Sequence, residues 1–450
     1  MRRSIASLPE VSQPHAKQRN RRMMLSMLAG FPVRALQILS GILIVPLAYR
    51  YLGPERFGLW SAVTALGSML TLADFGIGNG LITALSAATG REEPERIRRA
   101  ISTAILVVGT IAALLLVALG ALVLLGNWAG WLNVAGTSAA DDARPAGAAC
   151  VAMALLLLPV GLAAKIRTGL QEAFRNSAWD AAGVVLMLGL FVAAIRFDAG
   201  MAGLAVALGT GPVLAALGNG IGLWRRQSLR PRWSAVDFEG FRPVARLGLL
   251  YFALACSAAM ATAADNLIAI KLLGPESAGS VGIAGKIFGA SQAVVIVALL
   301  PLWPAFGEAL ARGDHRWARR ALWRSAAMAF GLSLLGAVVL TAIANPAIRL
   351  WLGRDTALPT GLLVANAVWL VLQSVGNVFG MLLNGAGVIR FQIATSAGYA
   401  VIAVALKFVL ADRIGMAGIV WGTVISYGLV ALPLYVRYAR RHLDRVAAAA

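Results

Sequence analysis

Uncharged hydrophobic runs long enough to cross a lipid bilayer recur along this chain of 450 residues, for example Ala199–Trp224 and Ser325–Ile348. About 20 apolar residues in a helix span the roughly 30 Å of hydrocarbon. Backbone groups in lipid must find hydrogen-bond partners within their own segment, so each run is predicted to be a helix. The charged fraction, 13%, is also about half that of soluble domains. The chain is therefore predicted to be an all-α integral membrane protein.

The spacing of these runs predicts about twelve transmembrane helices in two six-helix lobes. The longest polar stretch after the N-terminus separates the lobes and mixes arginines with aromatic residues, so it is either a segment lying on the membrane surface or a plain solvated linker. The predicted divisions are a basic N-terminal tail (1–22), an N-lobe (23–224), a cytoplasmic linker (225–245), a C-lobe (246–436) and a C-terminal tail (437–450). The predicted spans are 24–50, 57–87, 98–126, 146–170, 178–197, 201–224, 246–272, 278–310, 321–350, 361–386, 391–411 and 414–436.

One short connection occurs in both halves, as Leu52-Gly53-Pro54-Glu55 and as Leu273-Gly274-Pro275-Glu276. Each copy lies between two hydrophobic segments, so it joins predicted helices 1 and 2 in the first half and 7 and 8 in the second. Six spans bring each half back to the side on which it began. The halves are therefore predicted to be a parallel repeat.

The formal net charge of +20 is placed asymmetrically. With both termini in the cytoplasm, 29 of the 40 Lys and Arg residues fall on the cytoplasmic side, as the positive-inside rule requires. The charge therefore indicates orientation in a cytoplasmic (inner) membrane, not nucleic-acid binding. Cys150 and Cys256 both lie in predicted spans, so neither a disulfide framework nor a metal site is expected, and no cofactor is predicted.

Charged and polar residues within the first two predicted helices are the first candidates for function. A charge at the bilayer centre costs about 2.5–3.5 kcal/mol, so it usually faces a bundle interior or a wet cavity. Arg34 and Gln37 share a face of helix 1, and Ser68 and Asp74 share a stripe on helix 2. Asn79 follows in a glycine-rich segment where the helix is expected to bend. Substrate binding and a structural Arg34–Asp74 pair with close glycine packing both remain open.

The second half offers a different set of polar residues. Asp265 on predicted helix 7 and Lys286 on helix 8 are expected to meet, either as a structural ion pair or at a substrate or coupling-ion site. Asn377 belongs to a polar line on helix 10 that faces a cavity or a neighbouring helix. Asp74 and Asp265 are the candidates for ion coupling.

Three segments resemble the Wzx-like polysaccharide and O-antigen flippases of the multidrug/oligosaccharidyl-lipid/polysaccharide exporter (MOP) superfamily. They are Arg50–Trp60, Asp74–Gly80 and Pro301–Asp314. The resemblance implies a V-shaped, MATE-like bundle around a central cavity. It also implies translocation of polyprenyl-diphosphate-linked oligosaccharides, for O-antigen or exopolysaccharide synthesis, with Arg34 and Lys286 as cationic cavity positions.

The partners implied are the lipid bilayer, the lipid-linked oligosaccharide and the polymerase or export machinery. A MATE-like antiporter of drugs or organic cations on the same scaffold remains an alternative, with H⁺ or Na⁺ as the coupling ion. An enzyme is not expected, because the longest predicted external loop, 127–145, is short and no clustered acidic or metal-binding site accompanies it.

Overall fold

The computed structural model describes residues 13–70, 73–126, 128, 140–352 and 357–448. In these ranges the chain is almost entirely helical, which confirms the all-α prediction. The helices are α1 (Gln13–Leu70), α2 (Ile77–Gly90), α3 (Pro94–Leu125), α4 (Ala140–Gly169), α5 (Ala173–Arg196), α6 (Gly200–Trp224), α7 (Phe238–Leu299), α8 (Leu302–Ala311), α9 (His315–Leu352), α10 (Thr360–Gly385), α11 (Ile389–Ile414), α12 (Met416–Ser426) and α13 (Leu432–Ala448). A π-helical turn, Tyr427–Ala431, joins α12 to α13.

The duplicated connection marks a sharp bend in each of the two longest helices. Gly53 bends α1 with φ 74° and ψ 170°, and Gly274 bends α7 with φ 84° and ψ 172°. Glycine reaches this region of positive φ without a steric penalty. Each long helix is therefore a pair of spans that meet at the repeated motif.

The predicted breaks near the ends of spans 2 and 8 are confirmed. A turn at 73–76 separates α1 from α2, and Phe75 and Gly76 adopt positive φ there. The proline-containing segment that begins at Pro301 separates α7 from α8. Ten of the described segments are long and apolar enough to cross a membrane, and the bent helices supply the remaining two predicted spans, 57–87 and 246–272.

The N-lobe (α1–α6) and the C-lobe (α7–α13) each pack around apolar cores of their own. In the N-lobe, Leu81, Ile101 and Leu162 belong to one buried cluster. In the C-lobe, Phe288 and Leu362 belong to another. Apolar packing also joins the lobes, because the N-lobe cluster contains Phe241 and Val244 of α7, and a smaller cluster brings Ile82 against Tyr251 and Trp303.

The lobes meet at one end of the bundle, called the basic end here, where the connections 91–93, 225–237 and 312–314 lie. Glycines allow the helices to approach closely at this end. A Cβ atom on Gly80 would lie 2.6 Å from the carbonyl oxygen of Val244, and one on Gly90 would lie 2.6 Å from the Ala311 side chain. All of the described interlobe hydrogen bonds lie in this half of the bundle, so the cleft between the lobes opens toward the opposite end.

Candidate functional site

Asp74 lies at the start of α2 and stabilises that helix. Its carboxylate accepts hydrogen bonds from the backbone N–H groups of Gly76 (2.8 Å) and Gly78 (3.1 Å). These are donors that a helix N-terminus leaves without partners, and a carboxylate is well suited to them. The alternative of an Arg34–Asp74 pair is not found among the described residues, because Asp74 faces α2 and the neighbouring α4 instead.

The basic residue beside Asp74 is Lys165 of α4. The two side chains line a small N-lobe cavity of about 110 Å³, and the Lys165 ammonium donates to Asn79 Oδ1 over 3.1 Å. Lys165 thus lies beside both Asp74 and Asn79, on a helix other than that of Arg34. In the sequence, Lys165 is one of the 29 Lys and Arg residues assigned to the cytoplasmic side and was given no role in a site.

Arg34 lies at the seam between the lobes. Its Nη1 donates to Gln37 Oε1 over 3.1 Å, and both side chains are half-buried. One turn before it on α1, a Cβ atom on Gly30 would lie 2.5 Å from Val297 Cγ1 of α7. Residues four apart share a helix face, so Arg34 points toward the C-lobe just beyond this point of closure.

A C-lobe cavity of about 470 Å³ contains the predicted residues of the second half. Lys286 is exposed in its wall, and Asp265 lies in the same lining. The two share this cavity but do not form an ion pair with each other, which was one of the two alternatives. Asp265 instead pairs with Lys407 of α11, a fully buried lysine to which sequence reasoning gave no role. A charge within a span was the signal that could have identified Lys407.

Four uncharged polar residues also line this cavity, among apolar residues that include Phe288, Trp369 and Leu370. Asn366 and Gln373 project from α10, Thr423 from α12 and Gln292 from α7. Gln292 Oε1 accepts a hydrogen bond from Ser374 Oγ over 2.9 Å, which fixes its orientation. Asn377, one turn beyond Gln373 on α10, is half-buried and is not among the lining residues. The side chain of Ser68 lies outside the described part of the chain.

A buried polar network closes the basic end of the cleft. Glu308 of α8 is 6% exposed; it contacts the Gln171 amide of the N-lobe and accepts from Arg312 over 2.9 Å. Arg312 also donates to Glu92 of the N-lobe over 2.9 Å. Burial acts to lower the pKa of Arg312, but hydrogen bonds to Glu92 and Glu308 outweigh it, so the pKa lies above its ordinary value. Glu308 lies near the end of predicted span 278–310, where the sequence favours an ordinary surface charge, but the structure buries it.

A second interlobe cluster lies deeper in the same half. Thr83 Oγ1 lies 2.8 Å from Tyr251 Oη, and it accepts from Trp303 Nε1 over 3.0 Å. Both hydroxyl oxygens also lie within hydrogen-bond distance of the Asn384 carbonyl oxygen, Thr83 Oγ1 at 3.2 Å and Tyr251 Oη at 3.0 Å. Sequence reasoning missed this cluster, because Thr, Tyr and Trp carry no charge that would mark them within an apolar span.

A family model described as "Polysaccharide biosynthesis protein" matches residues 47–356. A comparison with curated proteins finds no match. Solved structures with similar folds include the crystal structure of a MATE point mutant, at TM-score 0.85 and 16% identity over 95% of this chain and 97% of that chain. An outward-facing multidrug resistance MATE family transporter of the MOP superfamily matches at TM-score 0.85 and 15% identity over 98% and 99%.

A third similar structure is a MOP superfamily transporter from Pyrococcus furiosus, described as having a binding pocket of reverse polarity that suggests a different function. It matches at TM-score 0.82 and 16% identity over 98% of this chain and 99% of that chain. At such identities these structures show the fold alone. The chain is a V-shaped, MATE-like bundle of two six-helix lobes, as predicted.

Proposed function

The chain belongs to this polysaccharide biosynthesis protein family, and we propose from that premise that it is a flippase for polyprenyl-diphosphate-linked oligosaccharides. The MATE-like bundle supports a membrane transporter that works by alternating access. The lipid tail stays in the bilayer while the diphosphate and sugars cross through the cleft between the lobes. The proposed lobe boundaries are residues 23–224 and 246–436, joined by the linker 225–245.

The cationic and polar C-lobe cavity is the observation that carries this proposal. Lys286 has no ion pair with another described residue and is exposed in the cavity wall, where an ammonium can meet phosphate oxygens. The amides of Asn366 and Gln373 line the same space and can exchange hydrogen bonds with sugar hydroxyls. This is the chemistry that an anionic, hydroxyl-rich headgroup requires.

Arg34 supplies a second cation at a different depth. Both positions can be measured from the contact between Gly30 of α1 and Val297 of α7. Arg34 lies four residues from Gly30, or about 6 Å along the helix axis. Lys286 lies eleven residues from Val297, or about 16 Å along its own helix axis in the same direction. The two cations are thus separated by about 10 Å along the bundle axis. We infer that the diphosphate moves between them during translocation, with Gln37 holding the Arg34 guanidinium toward the cleft.

The direction of transport follows from the proposed orientation. The basic end, rich in Lys and Arg, is placed in the cytoplasm together with both termini. The interlobe network then closes the cytoplasmic side, and the cleft faces outward. A complete cycle breaks the Gln171–Glu308 and Glu92–Arg312 contacts to admit the cargo from the cytoplasmic leaflet.

Asp265 is the stronger of the two proposed coupling residues. Asp265 itself lines the cavity that holds the cargo-binding groups and pairs with the buried Lys407, so a change at Asp265 can reach those groups. Asp74 has its carboxylate occupied by the backbone of α2, which favours a structural role. H⁺ and Na⁺ both remain candidates, and a gradient of each belongs in the transport assay.

The alternative of a drug or organic-cation antiporter is not favoured. An organic cation needs an accessible carboxylate, but Asp265 is paired with Lys407 and Asp74 caps α2. Lys286 is exposed in the cavity wall and Arg34 is half-buried at the seam between the lobes; Asp265 is also half-buried, but Lys407 offsets its charge. The groups that face the cleft therefore carry a net positive charge, which fits an anionic cargo.

The test is translocation by the purified full chain in proteoliposomes that contain a labelled polyprenyl-diphosphate oligosaccharide. We expect protein-dependent exposure of the label on the second leaflet and a loss of at least about tenfold in Lys286→Gln, which removes one charge-assisted contact. Lys271→Gln, an exposed lysine on the same helix and outside the cavity, is the matched control. Absence of translocation under any ion gradient, with efflux of organic cations instead, would contradict the proposal.

A further inference from the structure

A separate cavity of about 820 Å³, called the seam cleft here, lies at the basic end where the two lobes meet. Its walls are the last turns of α2, the first turns of α3 and the beginning of α7. Ala84, Ala87 and Arg91 of α2 line it at the i, i+3 and i+7 positions of one helix face. The cleft therefore extends about 10 Å inward from Arg91.

The inner part of the seam cleft is apolar. Leu85, Phe241 and Val244 are buried, and together with Leu247 and the alanines of α2 they form its floor. Such a surface favours a hydrocarbon chain, because burial of apolar area is worth about 25 cal/mol per Å². Sugars or a free inorganic ion would gain little from it.

The mouth of the seam cleft is polar, and three arginines and three acidic residues line it. Each acidic residue is paired with an arginine: Glu93 with Arg96 at 3.2 Å, Glu95 with Arg98, and Asp237 with Arg99 at 3.6 Å. Arg91 is the remaining charge of the lining, and Arg98 and Arg232 lie close by. Arg91 forms no ion pair with another described residue.

Neighbouring aromatic side chains place the mouth at the level of the membrane surface. Trp233 is 82% exposed and Phe238 is 61% exposed, on the linker segment beside the cleft. Aromatic rings at such positions lie among lipid headgroups. The linker is held on α3 by hydrogen bonds from the backbone N–H of Arg232 to Ser102 and of Asp237 to Thr103.

We propose that the seam cleft binds the phosphate group of a membrane lipid. The phosphate contacts Arg91 and the turn that carries Arg96 and Arg99, and the first part of the hydrocarbon chain lies on the apolar floor. Arginine presents planar, charge-assisted donors that suit phosphate oxygens. The site is distinct from the central cleft; only its occupation by a polyprenyl diphosphate rests on the proposed function.

Binding at this site has a consequence for conformation. The walls come from both lobes, so the cleft changes shape when the lobes separate. A lipid that fits the closed basic end stabilises that state by its differential affinity for the two states. The lipid is either an anionic phospholipid that regulates the cycle or a polyprenyl diphosphate that docks before translocation.

The test is native mass spectrometry of the full chain in detergent, titrated separately with phosphatidylglycerol, a polyprenyl diphosphate and dioleoylglycerol. The third lipid lacks phosphate and reports hydrocarbon binding alone. Arg91→Gln is expected to lower the affinity for a phosphate lipid about tenfold, the equivalent of one charge-assisted hydrogen bond. Arg316→Gln, another exposed arginine of the basic end that does not line the cleft, is expected to change nothing.

A second variant tests the floor without touching a charge. Ala87→Leu projects into the cleft and is expected to weaken binding of every lipid that uses it. The lipid whose affinity falls in both variants identifies the source of the phosphate. Equal affinity for dioleoylglycerol, or wild-type affinity for both phosphate lipids in both variants, overturns the proposal. Neither result bears on translocation by the central cleft, which the proteoliposome assay measures separately.

Discussion

Replacing Glu308 with alanine is expected to open the basic end of the bundle. Glu308 is buried and connects the lobes through the amide of Gln171. Its second contact, with Arg312, lies within the C-lobe and orients that arginine toward Glu92 of the N-lobe. The substitution therefore removes one interlobe hydrogen bond directly and loosens a second.

The magnitude follows from the exposure of each group. A hydrogen bond to a charged group contributes about 1.5–3 kcal/mol, and Glu308 is buried enough to retain most of it, so we take about 2 kcal/mol for the contact with Gln171. The Glu92 side chain is 69% exposed, so its pairing with Arg312 is screened and adds little. Two kcal/mol shifts the equilibrium about 30-fold. A closed population of about 99% then falls to about three-quarters.

The assay is a distance measurement between spin labels on the two lobes by pulsed electron paramagnetic resonance. Cys150 and Cys256, the only two cysteines of the chain, are first replaced by serine. Labels at Arg96→Cys and Arg320→Cys then report the width of the basic end, because both positions are exposed. Asp444→Ala, which removes an acidic group from a pair exposed on both sides, is the control.

In Glu308→Ala we expect a second, longer distance that makes up about a quarter of the distribution, while Asp444→Ala retains the distribution of the parent protein. An unchanged distribution in Glu308→Ala, in protein that remains folded, would refute the assignment of Glu308 to the closure.

Three further outcomes are expected. Lys407→Met leaves Asp265 without its partner and should lower the free energy of unfolding by about 3 kcal/mol, measured as a lower thermal unfolding temperature. Adding Asp265→Asn to this variant should recover much of the lost stability. If the losses of the two single variants add instead, the pairing is contradicted. Gly80→Leu should lengthen the distance between the labels, because its side chain collides with the Val244 carbonyl, whereas Gly41→Leu, with no atom within 4 Å of its Cβ position, should not. Arg34→Ala should abolish translocation with normal membrane abundance, and wild-type transport would remove Arg34 from the mechanism.

The helices could be predicted from the sequence because each one is determined by the residues within its own segment. Twenty apolar residues determine a span whatever lies beside it, and Gly53 and Gly274 determine where a long helix bends. The charge bias likewise sums over many residues, so a few misplaced ones, such as Lys165, do not reverse it.

The partners of the buried charges were harder to predict, because they depend on how each helix is rotated and packed against helices distant in sequence. Asp265 and Lys286 are close in the chain, yet the ammonium that reaches Asp265 comes from Lys407, 142 residues away. Glu308 lies near a span end, where water is the usual partner, and only the approach of Gln171 from the other lobe buries it. The glycines at 80 and 90 indicated that something packs closely there. The helix that packs against Gly80 and Gly90 is determined by the closed arrangement of the lobes. A sequence that must also permit an open arrangement does not by itself identify that helix.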